Sequence, residues 1–154
     1  MIVCPYRLVR TLQAPLGFGM IHVARETRVE GPDLKSKAIL VVDDSPSVRQ
    51  QVGLVLKQSG YECIEARDGF QALDLLRKHN VAMIICDVNM PGINGLALVD
   101  RLRLSERGIP CLMLSAEGNP KLQERARRAG ATGWIIKPFN AERLIEAVKK
   151  LIGD

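Results

Sequence analysis

The chain has 154 residues, a length that fits one ordinary domain with a sizeable hydrophobic core. Its hydrophobic content of 47% and charged content of 25% are typical of globular proteins and argue against disorder throughout the chain. The net charge of +5 is spread along the sequence, which argues against direct nucleic-acid binding. The sequence also contains no apolar run of about 18 residues, the length that a membrane-spanning helix needs.

Residues 1–36 differ from the rest because prolines and glycines interrupt them without a sustained hydrophobic period. Arginines precede or flank Glu26, the first acidic residue, as in a transit peptide, but the segment has poor helical amphipathicity. We interpret residues 1–36 as a flexible N-terminal extension, or as the result of a start codon assigned too early, with Met20 as the true beginning. An N-terminal anchor or a partner-binding segment is the alternative. The folded domain is expected to comprise residues 37–154.

From Lys37 onward, apolar runs alternate with helical patterns. The run at residues 39–42 is fully apolar, and residues 45–59 then repeat valine and leucine with a helical period. Ser45 is a good N-cap for this helix, and the proline that follows suits its first position. Residues 61–65 are partly polar, which is typical of a strand at the edge of a sheet.

The remaining predicted elements continue this alternation. Five β–α units imply parallel strands, because each helix serves as the crossover between them. The predicted fold class is therefore α/β, with a doubly wound five-stranded parallel sheet. The further strands are predicted at residues 82–86, 111–114 and 133–136, and the further helices at residues 69–79, 94–105, 120–129 and 140–152.

The four cysteines form no C-x-x-C pair and show no zinc-ligand spacing. Cys63, Cys86 and Cys111 fall within strand-like runs. We interpret these three as small buried hydrophobic residues of a protein in the reducing cytoplasm.

Polar residues follow four of the predicted strands. Asp43 and Asp44 follow the first strand, Asp87 the third, Ser115 the fourth and Lys137 the fifth. The carboxyl ends of parallel strands form the functional crevice of an open sheet, so these side chains are expected to meet there. One lysine does not neutralise three carboxylates, which favours a hard divalent cation such as Mg²⁺. A carboxylate with Mg²⁺, a lysine and a hydroxyl could accept a phosphoryl group.

Four motifs carry a resemblance to a known family. They are ILVVDDSPSVRQ, IICDVNMPGINGL, MLSAEG and GWIIKPF, and each is weak by itself. In this order and spacing they resemble the receiver domains of two-component response regulators across residues 37–154. The stand-alone, CheY-like chemotaxis receivers are the most similar type. The resemblance implies a flavodoxin-like fold with strand order 2-1-3-4-5.

The resemblance also implies roles for the acidic site. Asp87 would be the phosphoacceptor, and Asp44 a direct Mg²⁺ ligand. Asp43 would hold the metal site through metal-bound water, and the main-chain carbonyl of Asn89 would complete the metal shell. Mn²⁺ can substitute for Mg²⁺ in such a site. Lys137 would pair with the phosphoryl oxygens, and its peptide bond to the following proline would be cis.

The resemblance further implies a switch. Ser115 would bind the phosphoryl group and move toward it on activation. Trp134 occupies the position of an aromatic switch residue that is often Tyr or Phe, and its rotation would reshape the face of the fourth helix, fifth strand and fifth helix. Asn89 and Glu117 match the pair found in fast-resetting receivers, which predicts a short-lived aspartyl phosphate.

The expected function is that of a single-domain response regulator in signalling of the chemotaxis or motility type. Its expected partners are a sensor histidine kinase or a histidine phosphotransfer protein, and a downstream protein that binds the switching face. It would catalyse its own phosphorylation and dephosphorylation without turning over a separate substrate. The alternative is a phosphorelay intermediate or phosphate sink. An enzyme on a flavodoxin-like or phosphatase-like fold is disfavoured, because the sequence lacks a glycine-rich phosphate loop.

Overall fold

The computed structural model describes residues 37–105 and 107–153, so the predicted extension at residues 1–36 lies outside the described part. The strands are β1 (Ala38–Val42), β2 (Glu62–Ala66), β3 (Val81–Cys86), β4 (Cys111–Ser115) and β5 (Gly133–Ile136). The helices are α1 (Pro46–Gln58), α2 (Gly69–Lys78), α3 (Gly95–Arg103), α4 (Pro120–Ala129) and α5 (Ala141–Ile152).

The strands form one parallel sheet in the order β2-β1-β3-β4-β5. The predicted α/β fold and its strand order are thereby confirmed. The predicted elements are correct to within one or two residues, the largest difference being at α3, which ends at Arg103 instead of residue 105. No helix in residues 37–105 and 107–153 combines the length and the apolar character needed to span a membrane.

Two hydrophobic layers cover the sheet, one on each face. Successive strand residues point to opposite faces, so in β1 the side chains of Leu40 and Val42 enter one layer while those of Ile39 and Val41 enter the other. The first layer packs against α2, α3 and α4, and the second against α1 and α5. Burial on both faces explains why the central strands are continuous apolar runs in the sequence.

The strands at the two edges are more exposed than the central ones. In β2 only Ala66 is buried, and β5 has no buried residue, whereas all residues of β1 and β4 are buried. The interpretation of residues 61–65 as an edge strand is confirmed. The central position of β1, β3 and β4 places the residues that follow them in the middle of the sheet's carboxyl edge.

The burial predicted for three cysteines holds for two of them. Cys86 and Cys111 are buried, but Cys63 is half-buried because it lies on the edge strand β2. Burial raises the pKa of the Cys63 thiol to about 11 and that of Cys111 to about 12, and it also raises the pKa of Cys86. These thiols are therefore protonated and poorly nucleophilic at neutral pH.

Side chains at the carboxyl edge of the sheet cap the helices that begin there. The Ser45 hydroxyl accepts a hydrogen bond from the main-chain N–H of Val48, and Pro46 occupies the first helical position, as predicted. Asn94 caps α3 by accepting from the main-chain N–H of Ala97, 2.9 Å away. Such caps fix where each helix starts, and thus the shape of the loops around the crevice.

Candidate functional site

Three carboxylates meet at the carboxyl edge of the sheet. One oxygen from each of Asp43, Asp44 and Asp87 lies within 4.8 Å of the other two. Main-chain hydrogen bonds beyond the strand ends fix this arrangement: Asp43 N donates to Ala66 O at 3.1 Å, and Asp87 N donates to Val42 O at 2.9 Å. The convergence predicted for the residues after β1 and β3 is therefore present.

Lys137 lies between two of these carboxylates. Its Nζ donates to Asp43 Oδ2 at 2.7 Å and lies 3.5 Å from Asp87 Oδ1. Its main-chain N donates to Ser115 O at 2.8 Å, and its peptide bond to Pro138 is cis, as expected. The shorter distance shows that the Lys137 ammonium pairs mainly with Asp43 and interacts more weakly with Asp87.

The environment of Asp87 disfavours its ionised form. Burial raises the pKa of this carboxyl group above its ordinary value, the nearby negative charge of Asp43 raises it further, and Lys137 only partly opposes the shift. Three hard oxygen donors with one lysine leave excess negative charge. The donor set therefore fits a divalent cation that prefers oxygen ligands, such as Mg²⁺.

The raised pKa of Asp87 predicts a pH-dependent difference in stability between the metal-free wild type and the Asp87→Asn variant. Because the folded-state pKa is raised, the contribution of Asp87 to stability is complete below the unfolded-state pKa, about 3.9, and is lost as the pH rises through the folded-state value. In EDTA at neutral pH, Asp87→Asn should therefore unfold at a temperature a few degrees above that of the wild type. The difference in unfolding temperature between the two proteins should become smaller as the pH is lowered. A variant that melts at or below the wild-type temperature at neutral pH would contradict this assignment.

Glu117 connects the predicted switch residues. Its main-chain N donates to the buried Ser115 Oγ at 3.1 Å, and its main-chain O accepts from Trp134 Nε1 at 3.2 Å. Its carboxylate accepts from Asn89 Nδ2 at 3.3 Å. The main chain of Glu117 therefore links the Ser115 hydroxyl to the indole ring of Trp134 by two hydrogen bonds.

A glycine that the sequence patterns did not single out lies against the central aspartate. A Cβ atom added to Gly95 would lie 2.1 Å from the main-chain O of Asp87, so this position admits no side chain without a backbone shift. Gly95 N also donates to Val88 O at 2.9 Å. The available signal was a glycine directly after the N-cap Asn94, since glycine commonly marks a close approach of backbone to backbone.

The structure thus brings the predicted site residues into one crevice in two groups. In the first group, Lys137 Nζ lies 2.7 Å from Asp43 Oδ2 and 3.5 Å from Asp87 Oδ1, and an oxygen of Asp44 lies within 4.8 Å of the other two carboxylates. Asn89 and Glu117 are exposed at its mouth. The role of the Asn89 main-chain carbonyl as a metal ligand stays a prediction.

Comparisons with known proteins identify similar chains. The family model described as response regulator receiver domain matches residues 39–149. The polar-differentiation response regulator DivK of Brucella ovis is 33% identical over 121 residues, which make up 77% of this chain and 98% of DivK. The match with DivK extends over nearly the whole length of that protein.

Solved structures show the same similarity. The chemotaxis response regulator CheY4 of Vibrio cholerae is 39% identical, with a TM-score of 0.71 over 75% of this chain and 98% of CheY4. The response regulator protein TrrA of Thermotoga maritima, solved in complex with Mg²⁺ and BeF, is 35% identical, with a TM-score of 0.69 over 75% of this chain and 98% of TrrA.

Proposed function

The chain belongs to the response regulator receiver domain family, and on this basis we propose that Asp87 accepts a phosphoryl group in a Mg²⁺-dependent reaction that switches a protein-binding surface. The observation that carries the proposal is the convergence of Asp87 with Asp43, Asp44 and Lys137 at one edge of the sheet. TrrA was solved in complex with Mg²⁺ and BeF, which supports the requirement for a divalent cation.

The carboxylate of Asp87 is the nucleophile in the proposed reaction. One of its oxygens attacks phosphorus in the phosphohistidine of a sensor kinase or a histidine phosphotransfer protein. The new O–P bond forms as the P–N bond breaks, and the electron pair of the broken bond stays on the imidazole nitrogen. Lys137 Nζ, 3.5 Å from Asp87 Oδ1, is close enough to pair with an incoming phosphoryl oxygen.

The residues proposed to hold Mg²⁺ are Asp43, Asp44 and Asp87, with the main-chain carbonyl of Asn89. When bound there, Mg²⁺ would offset negative charge on the phosphoryl oxygens, and Mn²⁺ would serve in the same way. Asp43 is 2% exposed and bonded to Lys137, whereas Asp44 is exposed. This difference in exposure favours an indirect role for Asp43 in holding the metal site and direct Mg²⁺ binding by Asp44.

The phosphoryl group is expected to switch the protein through Ser115. Phosphorylation adds a nearly divalent anion beside Lys137, and the Ser115 hydroxyl would move to donate a hydrogen bond to it. That movement breaks the bond between Ser115 Oγ and the N–H of Glu117, and so disturbs the carbonyl that holds Trp134. The face formed by α4, β5 and α5 would then bind a downstream protein in the cytoplasm. CheY4 is a chemotaxis response regulator, and its similarity to this chain supports signalling of the chemotaxis or motility type.

We predict that the aspartyl phosphate is short-lived. In hydrolysis, water attacks phosphorus, the bond between phosphorus and Asp87 breaks, and inorganic phosphate leaves with the carboxylate restored. Asn89 and Glu117, joined at 3.3 Å, lie at the exposed mouth where such a water would enter. The decay of labelled protein, followed with Mg²⁺ and with EDTA, measures the lifetime, and persistence for many hours in Mg²⁺ would contradict the prediction.

The proposed function is tested by incubating the full chain with acetyl phosphate and Mg²⁺. Intact mass should increase by one phosphoryl group, and EDTA should prevent the increase. The proposal would be wrong if the mass did not increase at any Mg²⁺ concentration and if a phosphorylated histidine phosphotransfer domain transferred no phosphoryl group to the chain.

A further inference from the structure

Arg49 contacts the loop that carries two of the site aspartates. It lies in the first turn of α1, and its Nη1 donates to the main-chain O of Asp43 at 2.6 Å. Its Nε lies 3.4 Å from Glu65 Oε2 on β2, and its side chain is only 16% exposed. The guanidinium group therefore bridges the β1–α1 loop and the neighbouring edge strand from a largely desolvated position.

The atom that Arg49 binds belongs to the peptide unit between Asp43 and Asp44. That unit is planar, so holding its carbonyl oxygen also fixes the direction in which the chain enters Asp44. The other polar groups of Asp43 are bonded elsewhere: its N to Ala66 O, its Oδ1 to Ser45 N at 2.9 Å and its Oδ2 to Lys137. Arg49 thus contributes the contact that orients the two aspartates relative to each other.

Glu65 is itself held close to α1. A Cβ atom added to Gly53, one helical turn after Arg49, would lie 3.6 Å from Glu65 Oε1 and 3.3 Å from Cys63 Sγ. The side chains of β2 therefore lie close to this face of the helix, with room for a methyl group at position 53 only after a small adjustment. The ion pair between Arg49 and Glu65 is therefore built into the packing of α1 against β2.

We propose that Arg49, oriented by Glu65, is a positioning residue for the metal-binding pair Asp43 and Asp44. The inference rests on the proposed function, because it takes Mg²⁺ as the ligand of the acidic cluster. Charge alone makes the opposite prediction: a guanidinium repels a nearby cation, so its removal would strengthen Mg²⁺ binding. A loss of affinity on removing Arg49 can therefore be attributed to geometry.

The test is calorimetric titration of the full chain with Mg²⁺. Arg49→Ala should weaken binding about tenfold, since changes in groups that orient metal ligands cost 10–100-fold in affinity. Lys57→Ala removes a positive charge from an exposed position on the same helix, and should change affinity less than about twofold because solvent and salt screen it. Arg49→Lys keeps the charge without the forked geometry, and should bind Mg²⁺ several-fold more weakly than the wild type.

Glu65→Gln provides a second route that does not depend on the folding of Arg49→Ala, and it should weaken Mg²⁺ binding in the same direction by a smaller factor. Unfolding temperatures in EDTA separate positioning from stability. If Arg49→Ala binds Mg²⁺ as tightly as the wild type, or more tightly, while only its unfolding temperature falls, the positioning role is wrong. An equal loss in Lys57→Ala would also overturn it. A wild type that binds no Mg²⁺ would instead overturn the proposed metal site itself.

Discussion

Replacing Asp87 with asparagine is expected to lower phosphoryl uptake from acetyl phosphate by at least about a hundredfold, or ~2.7 kcal/mol in the activation barrier. A carboxamide of nearly the same shape fills the position, but its oxygen carries no full negative charge and is a much weaker nucleophile. The main-chain bond from Asp87 N to Val42 O does not depend on the side chain. The loss is therefore expected to be chemical, and intact mass after incubation with Mg²⁺ measures it.

Asp100→Asn is the matched control for that experiment. Asp100 is an exposed aspartate on α3 whose Oδ1 lies 3.2 Å from Arg103 Nη2, and it is not one of the three carboxylates of the acidic cluster. Replacing Asp100 with asparagine should leave phosphoryl uptake from acetyl phosphate unchanged. Equal phosphorylation of the wild type and Asp87→Asn would show that another residue accepts the phosphoryl group.

Replacing Gly95 with alanine is expected to destabilise the protein by about 2 kcal/mol or more, as overpacking of a close-packed site does. In an ordinary helical position, alanine in place of glycine stabilises by up to about 1 kcal/mol. Here the new Cβ would lie 2.1 Å from the main-chain O of Asp87, and a backbone atom cannot move aside as a flexible side chain can. Either α3 or the segment of Asp87 must shift, so phosphoryl uptake should fall as well. Urea unfolding in EDTA measures the change in stability.

Gly53→Ala is the control for the steric argument. Gly53 is also a buried helical glycine, but its added Cβ would meet the Cys63 Sγ atom at 3.3 Å, which a small adjustment relieves. Its free energy of unfolding should stay within about 1 kcal/mol of the wild-type value. If Gly95→Ala is as stable as the wild type, the close approach between α3 and Asp87 is not as the structure describes.

Much of the fold could be predicted from local patterns. The apolar runs at β1, β3 and β4 indicated strands covered on both faces, and the partly polar β2 indicated an edge. Ser45 and Pro46 marked the start of α1. The burial of Cys63 was predicted wrongly, because a strand-like run does not reveal which side chains of an edge strand remain open to solvent.

The candidate site was predictable in its members but not in its contacts. Parallel strands bring their carboxyl ends together whatever the details of packing, so the positions of Asp43, Asp87 and Lys137 after their strands predicted one crevice. The pairing of Lys137 with Asp43 in preference to Asp87 was not predictable, because it depends on differences of less than 1 Å between residues 94 and 50 positions apart.

The sequence by itself determined the order of the elements, the two-sided burial of the sheet and the carboxylates available for a cation. Only the tertiary structure showed that Arg49 binds the peptide between two of those carboxylates, that Gly95 leaves room for the carbonyl of Asp87, and that Glu117 joins Ser115 to Trp134. The reason is physical. Periodicity records which face of an element is apolar, whereas these contacts depend on how closely separate elements approach and on main-chain atoms that every residue type carries.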